Sequence, residues 1–342
     1  MGKFLRLGGV FVYLVGSSLA AAESDYELVQ PSASQHGIVL RTARGQARIE
    51  GPAGHSSRLS LHPDELLTTV AETRGGWTVA GTRDVDLGRQ VVLLRRDFAG
   101  TTRFAAPVPQ RYPLRLRPIL MVRQEDFEGL AWLEGVDLTS LSVRTANRSG
   151  NDWGEISIIA PPARGSQTGL TGTVLEDSTW LLVWSAFDGE DDEILWSRGS
   201  ADRWQKAQRL GHNNRVPDIT PAVVAVDGGA LLAWSRVVKG HYQVMMSRFD
   251  GTDWTPPQDL GPPGSLEPGF VAHDSTMLLV YRLAWPRAWA VADLRSSGRV
   301  ERWSIVAEES GTRPVVRDFS DSSLELIWPG RPARTARWEM VP

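Results

Sequence analysis

The chain contains no cysteine, so no disulfide staples it and no bacterial lipid anchor on cysteine is available. Beyond the first 22 residues it has no long apolar run, which leaves no further candidate for a membrane span. Glycine-rich phosphate loops are absent. The six histidines (His36, His55, His62, His212, His241 and His273) are scattered, with neither HxH nor HExxH spacing, so no zinc site is legible. The sequence thus predicts no cofactor and no metal. Tyrosine is scarce: only Tyr26, Tyr112, Tyr242 and Tyr281 follow the first 22 residues. A basic excess is missing too. Without Lys3 and Arg6 there are 35 basic and 40 acidic residues, net −5, which argues against nucleic acid as the main partner. The arginine-rich stretch from Arg41 to Arg123 is interspersed with Glu50, Asp64, Glu65, Asp84, Asp86 and Asp97, and reads as solvated strand faces rather than a binding stripe.

Residues 1–22 carry the marks of a signal peptide. Lys3 and Arg6 precede a largely apolar Leu7–Leu19, and Ala20-Ala21-Ala22 offers a small-residue cleavage site. Export to the periplasm or the extracellular space is therefore expected, with an uncleaved anchor as the alternative. Cleavage after Ala22 would leave 320 residues.

What is abundant is tryptophan, fourteen in all, and its spacing is regular. Phe104, Trp153, Trp204, Trp254 and Trp303 follow one another at intervals of 49, 51, 50 and 49 residues, the tryptophans each after a Gly/Ser/Asp-rich turn. A second row runs through Gly81, Trp132, Trp184, Trp234, Tyr281 and Trp328, at 51, 52, 50, 47 and 47. Two interleaved rows of one period mark a repeated supersecondary unit, and a period of roughly 40–50 residues rich in short strands points to β-propeller blades. The clearest copy runs from Thr220 to Gly261. In it Asp227-Gly228-Gly229 is a turn signal, and Leu231-Leu232-Ala233-Trp234 is an apolar run suited to a strand covered on both faces.

The predicted fold is all-β: a six-bladed propeller of four-stranded antiparallel blades forming a single domain over 23–342, with five or seven blades as the alternatives. Blades are placed at about 60–106, 112–160, 164–211, 215–261 and 264–309, with a sixth at 311–342 completed by an N-terminal strand from 37–52. Such closure would remove free sheet edges. First strands are registered on Leu67, Pro118, Gly169, Pro221, Pro268 and Pro314, since proline at the start of a strand costs no internal ladder bond. By that register the stretch His62–Leu67 leads into a strand and is not a helix.

The turns before the first tryptophan row resemble degenerate Asp-boxes of the sialidase superfamily, roughly S-x-D-x-G-x-T-W. Ser247-Arg248-Phe249-Asp250-Gly251-Thr252-Asp253-Trp254 keeps the serine, glycine and tryptophan and shifts the aspartate by one. Ser197 to Trp204 keeps serine and tryptophan; Asn147 to Trp153 and Ser296 to Trp303 keep the glycine turn and the tryptophan. The resemblance implies a propeller whose Asp-box turns are structural and lie opposite the active face. It also implies an arginine triad, of which Arg117-Pro118-Ile119 is a loose echo, and a tyrosine nucleophile in the last blade. That blade holds no tyrosine, so sialidase activity is not expected.

The functional reading is a non-enzymatic propeller binding a carbohydrate or a protein or peptide ligand at the channel mouth. Loops leading into first strands and loops joining second to third strands share that face. The ligand-binding candidates are Arg117, Arg313, Glu267, Asp218, Thr220, Tyr242 and Trp285. Arg117 and Arg313 each precede a strand-opening proline and suit an anionic group. The alternatives are a structural or assembly role and a glycoside hydrolase using a carboxylate pair, for which Asp218 and Glu267 are the candidates. The acidic run Asp188-Gly189-Glu190-Asp191-Asp192-Glu193 lacks the spacing of a known calcium loop and reads as a solvated hairpin tip.

Overall fold

Alternation of apolar runs with glycine and aspartate turns folds this chain as successive antiparallel hairpins. The computed structural model describes residues 5–7, 10–12, 27–29, 39–43, 45–51, 56–86, 88–97, 100–104, 114–150, 152–161, 167–200, 203–273, 276–294, 300–308, 314–320, 323–328 and 334–339, some of them, Arg117 included, by backbone alone. None of these residues is helical. Leu5–Leu7 pairs with Val10–Val12, and no helix among the described residues is long and apolar enough to cross a membrane.

Seven sheets of three to five strands follow, numbered here I to VII. Sheet I joins Glu27–Val29, Val39–Ala43, Gln46–Glu50 and Ser56–Ser60. Sheet II spans 65–104, III 114–160, IV 167–209, V 218–259, VI 265–308 and VII 315–339. Each is a meander of neighbouring strands. His62–Leu67 is a turn leading into the strand Glu65–Thr73, as the repeat register predicts.

The pairing expected between 37–52 and the C-terminal blade is not what forms. Val39–Ala43 and Gln46–Glu50 pair with each other, then with Glu27–Val29 and Ser56–Ser60, in a sheet of their own. The hairpin closed at Gly45 has both outer edges taken, by Glu27–Val29 on one side and Ser56–Ser60 on the other, which leaves it no edge to offer the C-terminal strands. Sheet VII has three strands among the described residues.

The second tryptophan row lies where its spacing predicts. Trp132, Trp184, Trp234, Tyr281 and Trp328 stand on the second strands of sheets III to VII, all buried. Each ring belongs to the apolar cluster formed with the preceding sheet, while alternate residues such as Leu231 and Ala233 belong to the cluster with the following one. That is why the strand Gly229–Val238 opens on a continuous apolar run: both of its faces are covered. Gly81 holds the ring position in sheet II. A Cβ there would lie 2.0 Å from the Leu66 carbonyl oxygen, so the first strand already fills that space.

Opposite the ring in sheets III to VI the first strand bulges. In sheet III, Leu116 pairs with Leu133 and Ile119 with Ala131, so Arg117 and Pro118 together face Trp132. Gly169-Leu170, Thr220-Pro221 and Glu267-Pro268 do the same opposite Trp184, Trp234 and Tyr281. This corrects one register. Gly169 is equivalent to Arg117, Thr220 and Glu267, and it is Leu170 that takes the proline position. Gly169, Thr220 and Glu267 all have φ between +53° and +61°, the left-handed conformation of a bulged residue.

The outer hairpins bear the first tryptophan row. Ser197 Oγ donates to the Gln205 carbonyl (2.8 Å) and Ser247 Oγ to the Thr255 carbonyl (2.6 Å), each clipping a turn across eight residues. Asp250 Oδ1 accepts from the Thr252 and Asp253 amides at 2.8 and 2.9 Å. Trp204 meets Trp180 edge-on, and Trp254 meets Trp196 of the preceding sheet. These turns are structural.

Candidate functional site

First strands and the connections between second and third strands meet along one edge of every sheet from II to VI. The Val237 amide donates to the Pro217 carbonyl, Ala284 to Gly264 and Asp84 to Asp64, at 3.2, 2.7 and 3.1 Å. This edge forms a single loop face.

Just below the surface of that face lies a row of buried polar residues, one opening each first strand: Glu65, Arg115, Gln167, Asp218 and Ser265. Each has local partners, although Arg115 Nε and Gln167 Oε1 make no hydrogen bond. Glu65 takes a forked ion pair from Arg103 and the His62 amide at 2.9 Å. Arg115 lies 3.3 Å from Glu134, which also accepts from Trp132 Nε1 at 3.1 Å. Gln167 Nε2 donates to the Leu141 and Pro161 carbonyls.

Asp218, 1% exposed, accepts from Trp234 Nε1 (3.0 Å), Arg236 Nε (2.7 Å), Arg236 Nη2 (2.7 Å) and Asn214 Nδ2 (3.0 Å). Four donors occupy the lone-pair directions of a carboxylate. A buried anion held this way ties strand, ring and loop together, and it is not free to act as an acid, base or nucleophile. Asp218 is therefore an anchor.

Thr220 and Glu267 occupy equivalent bulges in neighbouring sheets, and the structure links them. Ser235 Oγ lies 2.7 Å from Thr220 Oγ1 and accepts from the Glu267 amide at 2.9 Å. The Glu267 carboxylate remains half-exposed, 3.4 Å from Arg282 Nη2. Tyr242 is half-buried where sheet V meets sheet VI, its carbonyl accepting from the Gly264 amide at 2.7 Å. Arg117 sits at the matching bulge of sheet III with its side chain outside the described residues, and Arg313 lies wholly outside them.

Trp285 is 86% exposed, in the connection between the second and third strands of sheet VI. Val136 and Leu138 are exposed in the corresponding connection of sheet III, and Leu66 at the start of the first strand of sheet II. Four of the five exposed large apolar side chains among the described residues thus border this face, only Ile158 standing on an outer strand. The loop "GVDLTSL" from Gly135 to Leu141 carried that signal in its sequence, as an apolar loop tip.

The acidic hairpin departs from its reading as a solvated tip. Asp191 is 7% and Glu193 1% exposed, because the loop carrying Arg209, Asn213 and Asn214 closes over them. Asp191 ends the turn and Glu193 follows two residues on, within the strand Asp192–Ser200, and that spacing was the available clue. Asp188 stays at the surface, accepting from the Glu190 amide (3.0 Å), Arg209 Nη2 (2.9 Å) and Asn213 Nδ2 (3.1 Å). Those amide bonds and Arg209 hold its carboxyl below the usual range. Burial, with the charges of Asp188, Asp218 and Glu190, raises that of Asp191. Burial pushes Glu193 up to about 7, against the pull of Arg209 and helped by Asp218 and Asp191.

No protein-family model and no curated protein matches this sequence. Solved structures do resemble it. An oligogalacturonate lyase from Vibrio parahaemolyticus is 7% identical with a TM-score of 0.60, over 100% of this chain and 97% of that one. A catalytically inactive virginiamycin B lyase from Staphylococcus aureus, solved with quinupristin, is 12% identical with a TM-score of 0.55, over 100% and 99%. A polysaccharide lyase is 9% identical with a TM-score of 0.56, over 95% and 91%. With the helix-free meander of sheets, these likenesses identify the chain as an all-β, β-propeller-like protein.

Proposed function

We propose that this chain is an exported propeller that binds a carbohydrate or peptide ligand on the loop face and performs no hydrolysis there. The observation that carries the reading is the contrast on that face. Its exposed apolar side chains gather at the rim, with Trp285 the most exposed of them, whereas Asp218, half of the candidate carboxylate pair, is spent on four internal hydrogen bonds. A solvent-facing indole costs hydration free energy unless a ligand covers it, and its flat face suits a sugar ring or a peptide's apolar side chain.

The ring reading is seven blades. Support comes from the first strands of sheets II to VI, each packed on the next, and from the approach of Val39–Ala43 to both Glu65–Thr73 and Val315–Ser320. Kinship with the sialidase superfamily rests on the serine-clipped turns, and export on the leader-like residues 1–22. Arg117 and Arg313 would add affinity for an anionic group at the channel mouth.

A screen of the 23–342 protein on glycan and peptide arrays tests the function. Trp285→Ala is expected to weaken the ligand found at least tenfold without lowering the melting temperature, and Arg117→Ala with Arg313→Ala to weaken only anionic ligands. Turnover of a bound glycan by the wild-type protein would overturn the non-hydrolytic reading.

A further inference from the structure

We propose that Asp188, Asp191 and Glu193 form a binding site for a hard divalent cation, calcium by preference. One oxygen from each carboxylate lies within 4.8 Å of the others. Calcium bonds to oxygen at about 2.3–2.6 Å, so ligands of one ion stand at most about 5 Å apart, and these three could share an ion with no backbone rearrangement.

The decisive feature is Asp191. Both of its carboxylate oxygens are buried, and neither accepts a hydrogen bond. A buried carboxylate without a donor is costly, because nothing replaces the water it has lost. The nearest guanidinium serves other groups: Arg209 Nη2 bonds Asp188 at 2.9 Å, and Arg209 Nη1 stands 3.7 Å from Glu193, beyond hydrogen-bonding distance. Close by, Asp218 is already neutralised by Arg236. Three carboxylates facing one guanidinium leave a local excess of two negative charges, the charge a divalent ion cancels.

Oxygen-only ligands select calcium or magnesium over zinc or copper. Asp188 on a loop tip gives an adaptable rather than a rigid octahedral frame, which favours calcium. The site sits in the connection between the second and third strands of sheet IV, on the loop face, and its existence does not depend on what that face binds.

The experiment uses the 23–342 protein, stripped with chelator at pH 7.5 and titrated calorimetrically with calcium chloride and, separately, magnesium chloride. One calcium per chain is expected, binding more tightly than magnesium, with a rise in melting temperature reversed by chelator. Asp191→Asn should weaken calcium at least tenfold. If that variant does not fold, Asp188→Asn at the surface serves the same purpose, read by displacement of terbium luminescence excited through the chain's tryptophans. Absence of calcium binding up to millimolar concentration overturns the proposal. So does binding that Asp191→Asn or Asp188→Asn leaves unchanged, since the ion would then lie elsewhere.

Discussion

Trp234 shows how one residue serves two demands. Its ring is fully buried in the cluster between sheets IV and V, and its Nε1–H, which would be costly to bury alone, donates to Asp218. Replacing it removes ring contacts, leaves a cavity and strips one donor from a buried carboxylate. Trp234→Ala should therefore cost about 3–5 kcal/mol, at the upper end of that range because of the lost donor. Urea denaturation measures this, and an unchanged midpoint would contradict the burial. The same residue-scale view separates Asp218 from Glu267. Both stand near the start of a first strand and look alike in sequence, yet Asp218 opens its strand saturated with donors, whereas Glu267 lies at the bulge, half-exposed beside Arg282.

Among the elements, the hairpin Trp180–Phe187 with Asp192–Ser200 carries an unusual electrostatic load. Glu193 opens its return strand almost wholly buried, with a carboxyl pushed from its ordinary 4.5 to about 7. Below pH 4.5 it is neutral in both folded and unfolded chains and contributes nothing to pH dependence. Between 4.5 and 7 the folded protein keeps the proton that the unfolded chain releases, so stability falls as pH rises, and the loss is complete above about 7. With chelator present, wild type should lose stability relative to Glu193→Gln across that window, read as urea midpoints from pH 4 to 8 in roughly half-unit steps. Parallel profiles for the two proteins would show that Glu193 titrates normally. Saturating calcium should flatten the difference if the carboxylates hold the ion.

Among the described residues, seven sheets share six apolar clusters, each drawn from two sheets adjacent in sequence, as expected when every unit packs only on its neighbours. Sheet I contributes Leu40, Ala47, Ile49 and Leu59, packed on Leu67, Val70 and Val79 of sheet II. Deleting residues 23–60 would uncover that face of sheet II and remove the strand that approaches sheet VII. Such a truncation should aggregate or bind a hydrophobic dye, as judged by gel filtration and dye fluorescence. A soluble monomer unfolding cooperatively at the full-length midpoint would show that the other six sheets stand alone.

The repeating unit was legible in the sequence because the constraint behind it is local and recurs. From sheet III onward the second strand uses a large ring to fill the interface with the preceding sheet, so Trp132, Trp184, Trp234, Tyr281 and Trp328 fall at nearly equal intervals. Turn chemistry was equally local: Asp250 binds an amide two residues on, and the clipping Ser247 a carbonyl eight residues on. Other features were decided by tertiary structure. The pairing of Gln46–Glu50 could not be read from its own pattern, since a half-buried hairpin looks the same whichever sheet it joins. Gly169 was misplaced by one position because a bulge puts two residues against one ring, and there glycine and leucine replace the residue–proline pair of its neighbours. Asp191 and Glu193 look like a solvated run until the loop from Arg209 to Asn214 folds over them. Burial of a charge depends on what the rest of the chain lays on top of it, and that is a long-range fact no stretch of residues carries by itself.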